Sequence, residues 1–263
     1  MKVVVIVLCL GRCPMPDLKN SLAGLYIAET KFNRATIYTK PRPNILPAEP
    51  FKRYKEAEKV LLKRRWEGRN LNDLYSLLQS RRSRRNYSRH PVSLDELSLL
   101  LWAMQGVTAQ AGPYYLRTAP SAGALYPIET YVVAERVAGI GPGIYHFDVK
   151  GFQLEILQKG DYLNDVASMA LGQGFLRDAS CVFIWSAILR RTMSKYGSRG
   201  LRYIFMDVGH ICQNMLLAVE ALGLGACPVA AFFDDEVNEL LGLDGKEETV
   251  IYMAALGRRR GED

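Results

Sequence analysis

The periodicity of apolar positions is clearest from Leu71 onward. Leu71 to Leu78 carries apolar residues at helical spacing and runs into Ser80-Arg81-Arg82-Ser83. Ser93 and Glu96 have the three-residue separation of a capping box. Behind them Leu94, Leu97, Leu101 and Met104 recur at intervals of three and four, one face of a helix that Gly106 closes. Thr108 to Pro127 is dense in Gly, Pro, Ser and Ala and reads as a loop. Strands are expected over 129–134, 144–147, 152–157 and 181–187, and a last one over 249–256. Short helices are expected over 163–171 and 235–241. The stretch 202–222 is apolar nearly all round, so it predicts a central helix covered on every face; Gly223 and Gly225 end it. Strands adjacent in sequence, helices before and after, and no strand–helix–strand alternation together predict an α+β fold.

The first part of the chain is different. Residues 14–50 are Pro-rich and weakly periodic, which predicts an extended N-terminal arm over 1–50 on a single domain of 51–263. A charged segment, 51–69, reads as partly helical. Val3 to Leu10 is an uninterrupted apolar run, but far short of the roughly 20 residues of a membrane span. No small-x-small site follows it, so it reads as a buried strand or an unprocessed tail of a cytoplasmic protein. Cys9 and Cys13 have no second pair of ligands at zinc spacing, and Cys181, Cys212 and Cys227 stand in apolar stretches as core thiols, so no metal site is expected.

Charge is concentrated in one place. The formal net charge is +7, yet residues 51–90 hold thirteen Lys and Arg against four Asp and Glu, and the rest of the chain is slightly acidic. Such a local surplus predicts a local anionic partner more than a nucleic-acid surface.

Five short segments could carry chemistry. Arg81-Arg82-Ser83-Arg84-Arg85 offers forked donors and a hydroxyl to phosphate, though a solvated basic turn or a nucleic-acid patch explains the string as well. Pro120-Ser121-Ala122-Gly123-Ala124-Leu125-Tyr126-Pro127 would let a flat ligand approach the backbone, or is an ordinary turn. Residues 221–232, among them Pro228, Val229, Ala230 and Ala231, would present main-chain groups to a ring, or simply terminate a helix. Lys195-Tyr196-Gly197 falls in a loop after a strand; a Lys beside a Tyr in a partly desolvated pocket can exchange protons, and the bland alternative is a surface loop. Leu256-Gly257-Arg258-Arg259-Arg260 is a basic tail or the second half of a phosphate clamp. Dinucleotide, Walker, serine-elbow and zinc-protease motifs are all missing from the sequence.

The ordered series resembles the nitroreductase superfamily, and within it the azoline (thiazole- and oxazole-forming) dehydrogenase branch. It runs Arg-Arg-Ser-x-Arg, Pro-Ser-Ala-Gly-Ala-Leu-Tyr-Pro, Lys-Tyr-Gly-x-Arg-Gly-x-Arg-Tyr, Gly-His-x-x-Gln-Asn, Ala-Leu-Gly-Leu-Gly-Ala and Leu-Gly-Arg, over about residues 71–260. The resemblance implies a three-layer fold, a mixed and mainly antiparallel sheet flanked by helices. It also implies FMN held non-covalently at a homodimer interface. By the same resemblance Arg81, Arg82, Ser83 and Arg85 hold the phosphate and ribityl chain, with Arg258 or Arg259 assisting. Pro120, Ser121, Ala122 and Gly123 line the flavin, Pro228 to Ala231 face the ring near N5, and Gln213 reaches the ribityl chain or ring edge. Lys195 and Tyr196 match the pair that serves the azoline branch as catalytic base. Other expected functions are NAD(P)H-dependent reduction of nitro or quinone compounds and flavin binding without turnover. Neither nucleic acid nor membrane is expected as a partner.

Overall fold

The computed structural model describes residues 25–26, 44–63, 74–112 and 114–261. The chain divides into two compact units, 1–42 and 43–263. In the first, only Leu25 and Tyr26 are described, and they are helical. The apolar run 3–10, Cys9, Cys13 and most of the expected arm lie outside the described residues. Residues 44–50 belong to the second unit.

That unit is built on a seven-stranded sheet. Its strands are β1 (Glu58–Leu61), β5 (Ile128–Ala134), β7 (Gly143–Asp148), β8 (Gln153–Lys159), β9 (Cys181–Ile188), β10 (Leu224–Val229) and β11 (Glu248–Arg258). They lie in the order β1-β8-β7-β5-β9-β11-β10. Every pairing in it is antiparallel. A parallel pair, β2 (Val92–Ser93) with β6 (Val137–Ala138), stands apart from it.

Alternation sends successive side chains to opposite faces. On β5, Val132 joins one core and Tyr131 and Val133 the other. The first core is closed by helices α2 (Leu94–Gln105) and α5 (Gly200–Ala221), through Leu97, Leu100, Leu101, Met104, Ile204, Val208 and Met215. The second is closed by α3 (Leu163–Met169) and α6 (Asp234–Leu240), through Leu163, Val166 and Val237. The result is three layers, as the resemblance implied. Helix α1 (Leu74–Ser80) and helix α4 (Leu189–Tyr196) lie outside this packing scheme and matter to the site.

The capping box is present. Ser93 Oγ accepts from the Glu96 N–H, and Glu96 accepts from the Ser93 N–H at 2.8 Å.

Several expectations need correction. The loop 108–127 contains a hairpin, β3 (Val107–Ala111) with β4 (Tyr114–Arg117), whose Tyr and branched residues outweigh the surrounding turn formers. The segment 51–69 forms edge strand β1 where it is described, because β8 offers an unpaired edge to it. Lys195 and Tyr196 close a helix, not a loop. Gly197, with φ 55° and ψ −146°, breaks that helix in a conformation only glycine adopts readily. Within 221–232, for which no strand was expected, residues 224–229 form strand β10 paired to β11. Helix α5 is not covered on all sides by its own chain: Phe205 and Met206 are more than half exposed, and Gly209, His210 and Gln213 continue that stripe at helical spacing.

Candidate functional site

The predicted site residues gather at two places, near opposite ends of α5. At one end the chain leaves α1 and crosses the sheet as a strap. The Arg84 N–H donates to the Ala226 carbonyl on β10 at 2.8 Å, and the Ser88 N–H to the Arg258 carbonyl on β11 at 2.8 Å. Tyr87 is buried between them and bridges to Arg259. This close approach needs glycine on β11: a methyl built on Gly257 would stand 2.8 Å from the Tyr87 ring. The strap therefore brings Arg81 to Arg85 together with 226–229 and 258–259.

Its arginines divide into two sets. Arg84 and Arg259 both face Glu220 of α5, at 3.7 and 2.7 Å, and Arg259 also donates to the Leu224 carbonyl. Arg258 pairs with Glu96 of α2 at 2.9 Å and reaches the Pro91 carbonyl. These three hold the fold together, and the second half of the expected clamp is thus engaged by carboxylates. Arg82 and Arg85 are exposed and Arg81 half-buried, none of them in an ion pair among the described residues. Arg82 donates to the Gln79 and Arg81 carbonyls. The Arg85 guanidinium stands 5.7 Å from the Phe175 ring centre. Burial raises the Cys227 thiol, while Arg85 and Ser83 beside it pull it back. Ser83 is exposed; Pro228 is half-buried, Val229 buried, and Ala230 and Ala231 exposed.

The other end is the turn 120–127 against α4. Three consecutive or near-consecutive residues adopt positive φ: Gly123 (66°), Ala124 (55°) and Tyr126 (46°). For the two non-glycines this is a strained backbone, of a kind that clusters at functional sites. A local network holds it. Ser121 Oγ accepts from the Tyr126 N–H at 2.9 Å and donates to Asp207 of α5 at 2.5 Å. The Tyr126 hydroxyl accepts from the Arg117 N–H, and the Arg117 guanidinium lies 4.5 Å from the Tyr126 ring centre. Burial raises the Asp207 carboxyl, opposed by the Ser121 hydroxyl and the Ala122 N–H.

Lys195 and Tyr196 face this turn. A methyl built on Gly123 would stand 2.7 Å from Tyr196 Oη and 2.9 Å from Lys195 Nζ. The Tyr196 ring packs edge-on against Tyr203 at 4.9 Å. Lys195 is exposed, so the desolvated pocket expected for it is not supplied by one chain. The void enclosed by Gln105, Arg117, Ser121, Tyr126 and Asp207 is about 10 Å³, room for one water at most.

Sequence reasoning missed Asp207, which anchors the turn, and Arg191, which is buried on α4. An acid inside the apolar run 202–222 was the available signal for the first. Gln213 joins neither end; it lies on the exposed stripe of α5. From Asp207 to Glu220 is thirteen residues of helix, about 20 Å at ~1.5 Å per residue. The two groups are separated by that length within one chain.

Residues 78–258 match the Nitroreductase family model. The chain is 38% identical over 186 residues to a nitroreductase-like protein of Methanocaldococcus jannaschii, covering 71% of this chain and 91% of that one. It is 34% identical over 163 residues to the trifolitoxin-processing protein TfxB of Rhizobium leguminosarum, covering 58% of this chain and 44% of TfxB. Among solved structures, a nitroreductase-like protein of Anabaena variabilis superposes with a TM-score of 0.72 at 29% identity, over 90% of this chain and 47% of that one. The chain thus spans less than half of the Rhizobium and Anabaena proteins. The extent of the family match and the identity to the archaeal relative lead to one conclusion: this chain belongs to the nitroreductase family.

Proposed function

We propose that the chain binds FMN between two copies of itself and works as an oxidoreductase of the azoline-dehydrogenase type. The observation that carries this reading is the division of the basic strap. Arg81, Arg82 and Arg85 have no carboxylate partner among the described residues, while the arginines around them do. Uncompensated guanidinium groups beside Ser83 and the β10 backbone suit a dianionic phosphate. The residues fit the group: forked donors for phosphate at the strap, and small residues at Ala230, Ala231 and Gly123 where a ring would approach.

Two observations support a pair of copies. The Gly123 turn and the strap sit about 20 Å apart along α5. The exposed stripe Phe205, Met206, Gly209, His210 and Gln213 is centred near the midpoint of α5. Packing two such helices antiparallel through Gly209 sets the Glu220 end of one beside the N-terminal end of the other, where Lys195 and Tyr196 lead into it. The strap of one subunit then meets the Gly123 turn of its partner, and the second subunit walls the exposed Lys195.

FMN bound there would accept hydride at N5. The chain's own residues do the rest. Arg81, Arg82, Ser83 and Arg85 anchor the phosphate. Gly123 lets Lys195 and Tyr196 lie close against the turn, since any side chain at that position would meet them. Lys195, with Tyr196 beside it, takes the proton that leaves the substrate carbon as hydride leaves. A modified peptide is the proposed substrate, a reading supported by the similarity to a toxin-processing protein.

A second reading, NAD(P)H-driven reduction of nitro or quinone compounds, is favoured by the nearly full-length match to the archaeal nitroreductase-like protein. Lys195→Ala separates the two. Azoline oxidation abolished with FMN still bound supports the first; undiminished turnover on every substrate removes Lys195 from the mechanism.

A further inference from the structure

A row of polar side chains crosses one face of the sheet where apolar ones would ordinarily pack. It comprises Glu155 on β8, His146 on β7, Glu129 and Tyr131 on β5, Ser186 on β9 and Glu248 on β11. Register places them side by side: Tyr131 opposite His146, His146 opposite Glu155, and Glu129 opposite Ser186. His146 is fully buried, with Nδ1 2.9 Å from Glu155 and Nε2 2.9 Å from Glu129. An imidazole that meets a carboxylate at each nitrogen donates from both, so it carries a charge.

The ladder continues outward at both ends. Glu155 accepts from the Tyr54 N–H at 2.9 Å and from Lys59 at 3.1 Å. Glu129 accepts from Arg191 with its other oxygen. Lys52 reaches Glu248 at 2.5 Å and the Tyr131 hydroxyl at 2.7 Å. Residues 49–59 are thereby fastened across the sheet.

Arg191 is 2% exposed and lies on α4 one turn before Lys195. Its Nε donates to the Glu49 carbonyl at 2.7 Å and its Nη1 to the Tyr126 carbonyl at 3.0 Å. One guanidinium thus grips three things: the helix that carries Lys195 and Tyr196, the turn that holds Gly123, and the segment 49–59. Residues four apart on a helix share a face, so a shift at Arg191 is felt at Lys195.

We infer that Arg191 is the positioning residue that sets Lys195 and Tyr196 against the Gly123 turn, and that Glu129, His146 and Glu155 tie its orientation to the seating of residues 49–59. The inference rests on the proposed role of Lys195 and Tyr196. It adds that the site is regulated from the far face of the sheet: loosening 49–59 loosens the proton acceptor without touching the strap.

The test reads lysine reactivity rather than turnover. The intact, purified protein is trace-labelled with acetic anhydride, and Lys195 acetylation is compared by peptide mass spectrometry with acetylation of a lysine peptide added as internal standard. In Arg191→Met the ratio of Lys195 to standard rises several-fold as Nζ leaves the turn. Arg191→Lys brings most of the ratio back, and Glu155→Gln raises it to a smaller extent. Arg191→Met, if it does not fold, is replaced by Glu129→Gln, with the same expectation. Bound flavin, read from the visible spectrum, stays at the parent level in every folded variant. An unchanged ratio in variants whose Tm has fallen would overturn the inference and leave Arg191 a merely structural residue. Failure of the proposed base role shows separately, as full azoline oxidation by Lys195→Ala.

Discussion

The two ends of α5 are built on opposite plans. At the strap, backbone hydrogen bonds to β10 and β11 fix the chain, Glu220 and Glu96 absorb three arginines, and three more remain for an anion. At the turn, the backbone is strained, its one acid is spent on Ser121, and Lys195 stands in the open. The first is complete within one chain. The second is open within one chain and, on the proposed reading, is closed by a second copy. Binding and proton transfer are therefore separable by substitution, and the predictions below exploit that, from the largest effect to the smallest.

Acid should act first through the ladder that holds the turn. Burial alone would raise the Glu129 carboxyl, but Arg191 and then His146 hold it down to about 2 from the ordinary 4.5. A carboxylate depressed in the folded state stabilises above its unfolded pKa, and that stability is lost as pH falls toward the folded value. Between pH 4.5 and about 2 the protein should lose on the order of 3 kcal/mol through this group, at ~1.4 kcal/mol per unit. Urea titrations of the parent across that range should show the loss, and Glu129→Gln should flatten it.

At the strap, Arg85→Ala should weaken FMN roughly ten- to hundredfold, the scale of one charge-assisted hydrogen bond, with Tm little changed. Equilibrium dialysis against FMN measures it. At the turn, Gly123→Ala should cost about 1–2 kcal/mol, because its φ of 66° strains any side chain and the added methyl meets Tyr196 and Lys195. Thermal denaturation reads the cost. Smallest is Arg258→Ala. Its partly exposed pair with Glu96 should be worth under about 1 kcal/mol, and FMN affinity should hold, in contrast to Arg85. Equal losses for Arg85 and Arg258 would erase the distinction between the two sets of arginines.

Much of this was legible in the sequence. The capping box at Ser93, the buried strands 129–134 and 181–187, and the long helix after Gly200 follow from periodicity alone. The motif series pointed to the segments that the fold gathers at the strap and at the turn. What was hidden depends on partners distant in sequence. Whether an arginine is free or consumed is decided by Glu220 and Glu96, far from Arg258 and Arg259 along the chain. The strand at 224–229 was not expected because its strand character comes from pairing with β11. His146 belongs to none of the sequence motifs, since its two carboxylates come from neighbouring strands. Helix α5 read as buried all round because periodicity cannot distinguish cover by the same chain from cover by a second copy.

That last point is open to direct measurement. An Arg82→Ala/Arg85→Ala chain and a Gly123→Asp chain are each expected to purify as colourless dimers. Mixed dimers, isolated with two different tags, contain one intact combination of strap and turn if the two come from different subunits. Such a dimer should hold one equivalent of FMN, seen in the visible absorbance. Mixed dimers as colourless as either parent would mean that strap and turn serve the flavin from the same chain, which contradicts the account.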